Sequence, residues 1–113
     1  MILENKKYEI IWSPKAYRNI QKIYAFTLEK LGNERYAIKI VKKILKAINS
    51  LKLFPFMYPK IYIDRKFKRQ LRRATVGKYA VIYEVKNNKI LILYIFHENQ
   101  NYSNLLLNQE NLN

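Results

Sequence analysis

The stretch from Leu71 to His97, LRRATVGKYAVIYEVKNNKILILYIFH, constrains this chain more than any other. Three runs rich in β-branched and aromatic residues, 71–76, 79–86 and 89–97, are separated by Gly77-Lys78 and Asn87-Asn88. Gly in first place suits a two-residue hairpin loop, and paired asparagines tolerate the positive φ that another such loop demands. The runs therefore predict a three-stranded antiparallel meander. Two-residue loops also predict its register. Ala74, Val76, Tyr79, Val81, Tyr83, Ile92, Tyr94 and Phe96 fall on one face, with Arg72 beside Tyr83. The other face carries Arg73, Thr75, Ala80, Ile82, Leu93 and Ile95, with His97 at its end.

Both faces are apolar, whereas an antiparallel sheet with one wet face alternates. The rest of the chain can cover only one of them. Residues 7–12, KYEIIW, read as a strand. Ser13-Pro14 then opens a helix, since Ser accepts from a free first-turn N–H and Pro fits the first helical position. Tyr17, Ile20, Tyr24, Leu28 and Leu31 recur at helical spacing, Gly32 ends the run, and Asn33 can cap another. In the second helix Tyr36, Ala37, Ile40, Val41, Ile44, Leu45, Ile48 and Leu51 form an apolar stripe, opposite Lys39, Lys42, Lys43 and Lys46. So short a connection makes the pair an antiparallel hairpin. Phe54-Pro55 ends it, because a residue before proline avoids helical angles.

The expected fold class is α+β: an N-terminal strand and helix hairpin packed on an antiparallel C-terminal meander. Residues 1–113 form one domain, and the tail from 98 to 113 reads as a short helical turn or disorder. The uncovered meander face is expected to expose Ile82, Leu93 and Ile95 beside Arg73, and apolar patches of that kind mark binding surfaces.

Charge indicates what would bind. The chain has 22 Lys+Arg against 8 Asp+Glu, a net +14. Nucleic acid, an anionic membrane surface or an acidic protein would each answer it; a merely solvated surface is the plainer alternative. Arg65, Lys68, Arg69, Arg72 and Arg73 belong to the densest basic region. Carboxylates are too few to pair with most of these cations, so an external anion is expected there. Snorkelling and internal salt bridges are the competing explanation. Glu84 is expected to pair with Arg73 or a nearby lysine. The absence of cysteine and the presence of a single histidine leave no basis for a metal site, and no cofactor is expected. No apolar run approaches a membrane span, so we expect a soluble, cytoplasmic protein.

Four segments in this order resemble the RelE/ParE superfamily of toxins from type II toxin–antitoxin systems. They are YEIIWSPKAYRNIQKIYAFTLEKLG, AIKIVKKILKAINSLKLFP, LRRATVGKYAVIYEV and ILILYIFHENQNYSNLL. The resemblance covers roughly residues 7 to 107 and is closer to the ParE-like branch. It implies a growth-arresting toxin, of a class linked to plasmid stabilisation, bound by an acidic cognate antitoxin. The ParE-like branch implies DNA gyrase as target; the RelE-like branch implies ribosome-dependent mRNA cleavage. Those RNases resemble this chain but place an arginine directly after Gly-x-Tyr, where Ala80 stands here. Close ParE-like relatives carry two basic residues where Asn99 and Gln100 stand.

RNA cleavage through the 2′-hydroxyl needs a base, positive charge on the phosphorane and an acid. Arginine supplies only charge. His97, Lys78 and Tyr102 are the candidate catalytic residues of an mRNA endonuclease, with Tyr83 a further possible proton carrier. His97 as an ordinary strand-end histidine is the alternative. The antitoxin is expected on Arg73, Ile82, Leu93 and Ile95. A basic nucleic-acid-binding domain without chemistry is the third function class.

Overall fold

The computed structural model describes residues 7–61 and 69–99. Strand β1 (Glu9–Trp12) leads into helix α1 (Pro14–Leu31), which turns back as α2 (Glu34–Ser50). A short β2 (Lys60–Ile61) precedes the meander β3 (Leu71–Val76), β4 (Tyr79–Lys86) and β5 (Lys89–His97). The five strands form one sheet in the order β1-β5-β4-β3-β2. Strand β1 lies parallel to β5, and the other pairs are antiparallel. No described helix is long and apolar enough to cross a membrane.

Local chemistry sets the ends of these elements as expected. Ser13 caps α1 through its hydroxyl, which accepts from the Ala16 N–H at 2.9 Å. Gly32, at φ 60°, closes α1 in the left-handed region, and Asn33 caps α2 by accepting from the Tyr36 N–H. Asn87 and Asn88 both hold positive φ, as a two-residue hairpin of that kind requires.

The meander register departs from expectation at one place. Ile82 pairs with Tyr94, but the next residue, Tyr83, pairs with Ile92, so Leu93 is an extra residue on β5. This β-bulge reverses the faces of everything after it. Tyr94 and Phe96 move to the second face, while Ile95 moves into the helix-side core beside Val81, Tyr83 and Ile92. His97 follows Ile95 and meets Tyr79 edge to face at 5.4 Å.

The bulge is fastened to the start of α1. The Ser13 N–H donates to the Ile92 carbonyl at 2.9 Å. The Ser13 hydroxyl donates to the Leu93 carbonyl at 3.0 Å. Asn19 then accepts from the Ile95 N–H at 3.1 Å, satisfying a donor on the strand edge that β1 does not reach. These contacts also set the rotation of α1. Positions 16, 20, 23 and 27 share a face with residue 13. Ala16, Ile20 and Thr27 are buried and Ile23 packs on the core, whereas Tyr17 and Leu31 are more than half exposed. The apolar stripe expected from Tyr17 through Leu31 is thus turned by about one residue.

The second sheet face is not the open patch that the sequence suggested. Leu71, Ala80, Ile82, Tyr94 and Phe96 form a second buried cluster, with Ile61 and Leu93 packed against it. Ile82 is 0% exposed. Ile95 lies on the opposite face altogether, and only Leu93 is half-buried on the expected one. The bulge delivers two aromatic rings to this side, and both are buried there. Each also lies beneath a cation: Arg73 sits over Phe96 at 5.7 Å and the Lys15 ammonium over Tyr94 at 5.9 Å.

Ser13→Ala removes a helix cap and the donor to the bulge carbonyl together. We expect a loss of about 1–2 kcal/mol in urea unfolding. A loss indistinguishable from zero would mean that the bulge holds itself without α1.

Candidate functional site

The two adjacent arginines of β3 point to opposite faces and do different things. Arg72 is paired across the sheet with Tyr83, on the helix side. Its guanidinium donates to the Tyr58 carbonyl at 2.7 Å and to the Phe56 carbonyl at 3.4 Å. The same group lies 5.0 Å from the Phe56 ring centroid. The Tyr83 ring is fully buried, and its hydroxyl donates to the Pro55 carbonyl at 2.8 Å. Burial pushes that hydroxyl's pKa up to about 12, although the nearby Arg72 charge pulls the other way. Arg72 and Tyr83 therefore pin the loop after α2, with Pro55 inside and Leu53, Phe54, Phe56 and Met57 more than half exposed.

Arg69 was expected to bind an external anion. Both its Nε and one terminal nitrogen donate to a single Glu84 oxygen, at 3.1 and 2.9 Å. Glu84 is buried, so losing this partner would strand a carboxylate in the second cluster. Its partner is thus Arg69, not Arg73 or a lysine. Arg73 occupies the second face, its guanidinium stacked on Phe96. Arg65, Lys68 and Tyr102 lie outside the described residues.

His97 and Lys78 do come together, but on the helix side. They line a crevice of about 390 Å³ between the hairpin tip and the β3–β4 turn. Lys30 at the end of α1 and Lys43 on α2 join them there, as do the aromatic rings of Phe26 and Tyr36. Among the described residues no carboxylate lines this crevice. His97 accepts from the Asn99 N–H through Nδ1 at 3.2 Å, which leaves Nε2 as the protonated nitrogen of the neutral ring. The crevice thus offers several cations and a single imidazole. It can hold an anion; among the described residues it does not pair a base with a carboxylic acid.

Lys30, Lys43, Phe26 and Tyr36 were not foreseen as site residues. The lysine stripe on the second helix and the helical placing of Tyr36 were visible, but no sequence spacing links them to His97. That link arises because the bulge turns His97 to the helix side.

Chain-wide comparison gives this arrangement a family. Residues 10–102 match the model of the ParE toxin of the type II toxin–antitoxin system parDE. The chain belongs to the ParE toxin family. Two solved structures share its fold at low identity. One, from a chromosomal ParDE toxin–antitoxin system of P. aeruginosa, superposes with a TM-score of 0.67 at 20% identity, covering 81% of this chain and 97% of its own. The other comes from the RelBE2 toxin–antitoxin complex of Mycobacterium tuberculosis, with a TM-score of 0.52 at 18% identity, covering 80% and 98%. No curated protein matches the sequence. The described residues of this ParE toxin thus form two helices and a five-stranded mixed sheet, the fold shared with those two structures.

The loop clip generates two expectations. Arg72→Ala should destabilise the toxin by about 2–3 kcal/mol, because charged hydrogen bonds to two carbonyls are lost. Arg73→Ala should cost less, and chemical denaturation would separate them. The second expectation concerns pH. A tyrosine whose folded pKa is raised contributes stability that is intact below its unfolded pKa near 10 and lost as pH rises toward 12. Wild type should therefore lose stability between pH 10 and 12 more steeply than Tyr83→Phe, and parallel curves for the two would refute this assignment.

Proposed function

We propose that this ParE toxin arrests growth by engaging a protein target, DNA gyrase, in the cytoplasm, and that a small acidic antitoxin neutralises it. The observation that carries this reading is Ala80. The superfamily RNases that the meander resembles place an arginine there. In this toxin the Ala80 side chain is fully buried in the second cluster with Ile82, Tyr94 and Phe96. A guanidinium at that position would have to displace those rings. Cleavage of RNA asks for charge on the phosphorane and a base and acid together. The crevice supports binding better than that proton transfer, with one imidazole and no carboxylate among the described residues of its lining.

An acidic antitoxin follows from the charge. A net +14 draws a negatively charged segment by long-range attraction, and a disordered partner can wrap a large surface on binding. The solved neighbours named for toxin–antitoxin complexes support a partner of that kind.

Message cleavage at the ribosome is the second reading, favoured by one observation: His97 and Lys78 share the crevice. The two readings separate cleanly. We expect purified toxin to inhibit gyrase in a supercoiling assay, and His97→Gln to leave growth arrest nearly intact on overexpression. A general acid or base contributes ~100- to 10,000-fold to a rate, so an RNase would lose its effect with that substitution. Message cut in codon register by the wild type but not by His97→Gln would sink the gyrase reading. Failure of an acidic product from an adjacent reading frame to co-purify, even at low salt, would count against the antitoxin.

A further inference from the structure

The crevice at the hairpin tip has a chemistry that the toxin's target does not explain. Its cations come from separate elements: Lys30 from α1, Lys43 from α2, Lys78 from the β3–β4 turn, with His97 from β5. None of the three lysines forms an ion pair among the described residues. Between them stand two exposed rings, Tyr36 at 46% and Phe26 at 59%, with the Lys30 ammonium over Phe26 at 5.7 Å from its centroid. Exposed aromatic rings grouped among cations that lack a carboxylate partner among the described residues mark a binding surface.

The crevice also continues into a track. Tyr36, Lys39, Lys43 and Lys46 follow one another on α2 at steps of three and four, which places them along one stripe. All four are exposed. A row of ammonium groups therefore leads along the helix to a chamber with stacking surfaces at its end.

We propose that this track and crevice bind a single-stranded nucleic acid, the lysines following its phosphates and the crevice seating one base against Tyr36 and Phe26. The volume, about 390 Å³, lies in the range of small-ligand sites and suits one base with its sugar. Lysine recognises phosphate as a point charge without demanding a fixed geometry. Aromatic faces stack any base, so the site reads the presence of a strand and not its sequence. An acidic amphipathic helix would satisfy the lysines too, and the peptide arm of the test below decides against or for it. RNA and DNA share the chemistry invoked here. The site is separate from the gyrase reading and stands or falls without it.

The test is fluorescence anisotropy of the full chain with fluorescein-labelled 12-nucleotide RNA and DNA single strands and a duplex of the same sequence, over a salt series. We expect single strands to bind at least tenfold more tightly than the duplex. Tyr36→Ala should weaken that binding about tenfold while leaving the salt slope unchanged. Lys43→Ala with Lys78→Ala should flatten the log–log salt slope by about 1.4, the value for two single-strand phosphate contacts. The control pair Lys86→Ala with Lys89→Ala, exposed beside the other hairpin turn, should change affinity by less than half as much. Tighter binding of RNA than of DNA would identify RNA as the natural strand, and equal binding would assign the site to either. The proposal fails if the duplex binds as well as the single strands, if Tyr36→Ala has no effect, or if the control pair matches the crevice pair, since a +14 protein would then be attracting a polyanion without a site. It fails also if the crevice variants lose a labelled Glu-rich amphipathic peptide but keep the oligonucleotides, which would give the crevice to a protein partner.

Discussion

The fold turns on the contact between Ser13 and the bulge at Leu93. One residue ends β1, caps α1 and bonds two successive carbonyls of β5. Because side chains alternate along a strand, an extra residue in β5 decides which face every later residue occupies. The helix start holds that choice in place, and Asn19 two turns on adds a bond to the Ile95 N–H. The composition of both sheet faces, the rotation of α1 and the position of His97 all follow. The helix-side core receives Ile95, and the second cluster receives the two rings that back Arg73 and Lys15.

Much of this toxin was legible in its sequence where short-range chemistry decides. The meander strands, the two tight turns and both helix starts could be placed because Gly, Asn, Ser and Pro have narrow backbone preferences. The bulge was not legible. In ILILYIF every position is apolar, so the pattern has no phase, and a one-residue slip leaves no trace in it. The stripe on α1 was misplaced for a related reason. Tyrosine can serve a core or its margin, and three of the chain's ten tyrosines, Tyr17, Tyr24 and Tyr36, lie in the two helices. Ala16 and Thr27, small and unobtrusive in sequence, turned out to face the sheet.

The candidate site divides along the same line. The double arginine was visible as an oddity, and the opposed directions of its two members follow from strand geometry alone. Their employment depends on partners distant in sequence. Arg72 reaches back 14 residues to the Tyr58 carbonyl, and Arg69 reaches forward 15 to Glu84. The first separation is set by how the α2–β2 loop returns to the sheet, which no local pattern encodes; the second follows from the β3–β4 hairpin register, which pairs Leu71 with Glu84. The crevice illustrates the point most clearly, since Lys30, Lys43, Lys78 and His97 come from α1, α2, the β3–β4 turn and β5.

The pinned loop after α2 has a colloidal consequence. It holds Leu53, Phe54, Phe56 and Met57 in water on a fixed backbone, so their surface cannot be withdrawn by local collapse. Between two copies of this chain, the mutual repulsion of like-charged surfaces opposes contact at that knuckle. Salt shortens the repulsion to a few ångströms without weakening the apolar attraction. Solubility in this molecule is thus a property of the medium as much as of the chain: the charge that recruits partners also keeps identical copies apart, and it does so only while the ionic strength is low enough for one molecule to sense another.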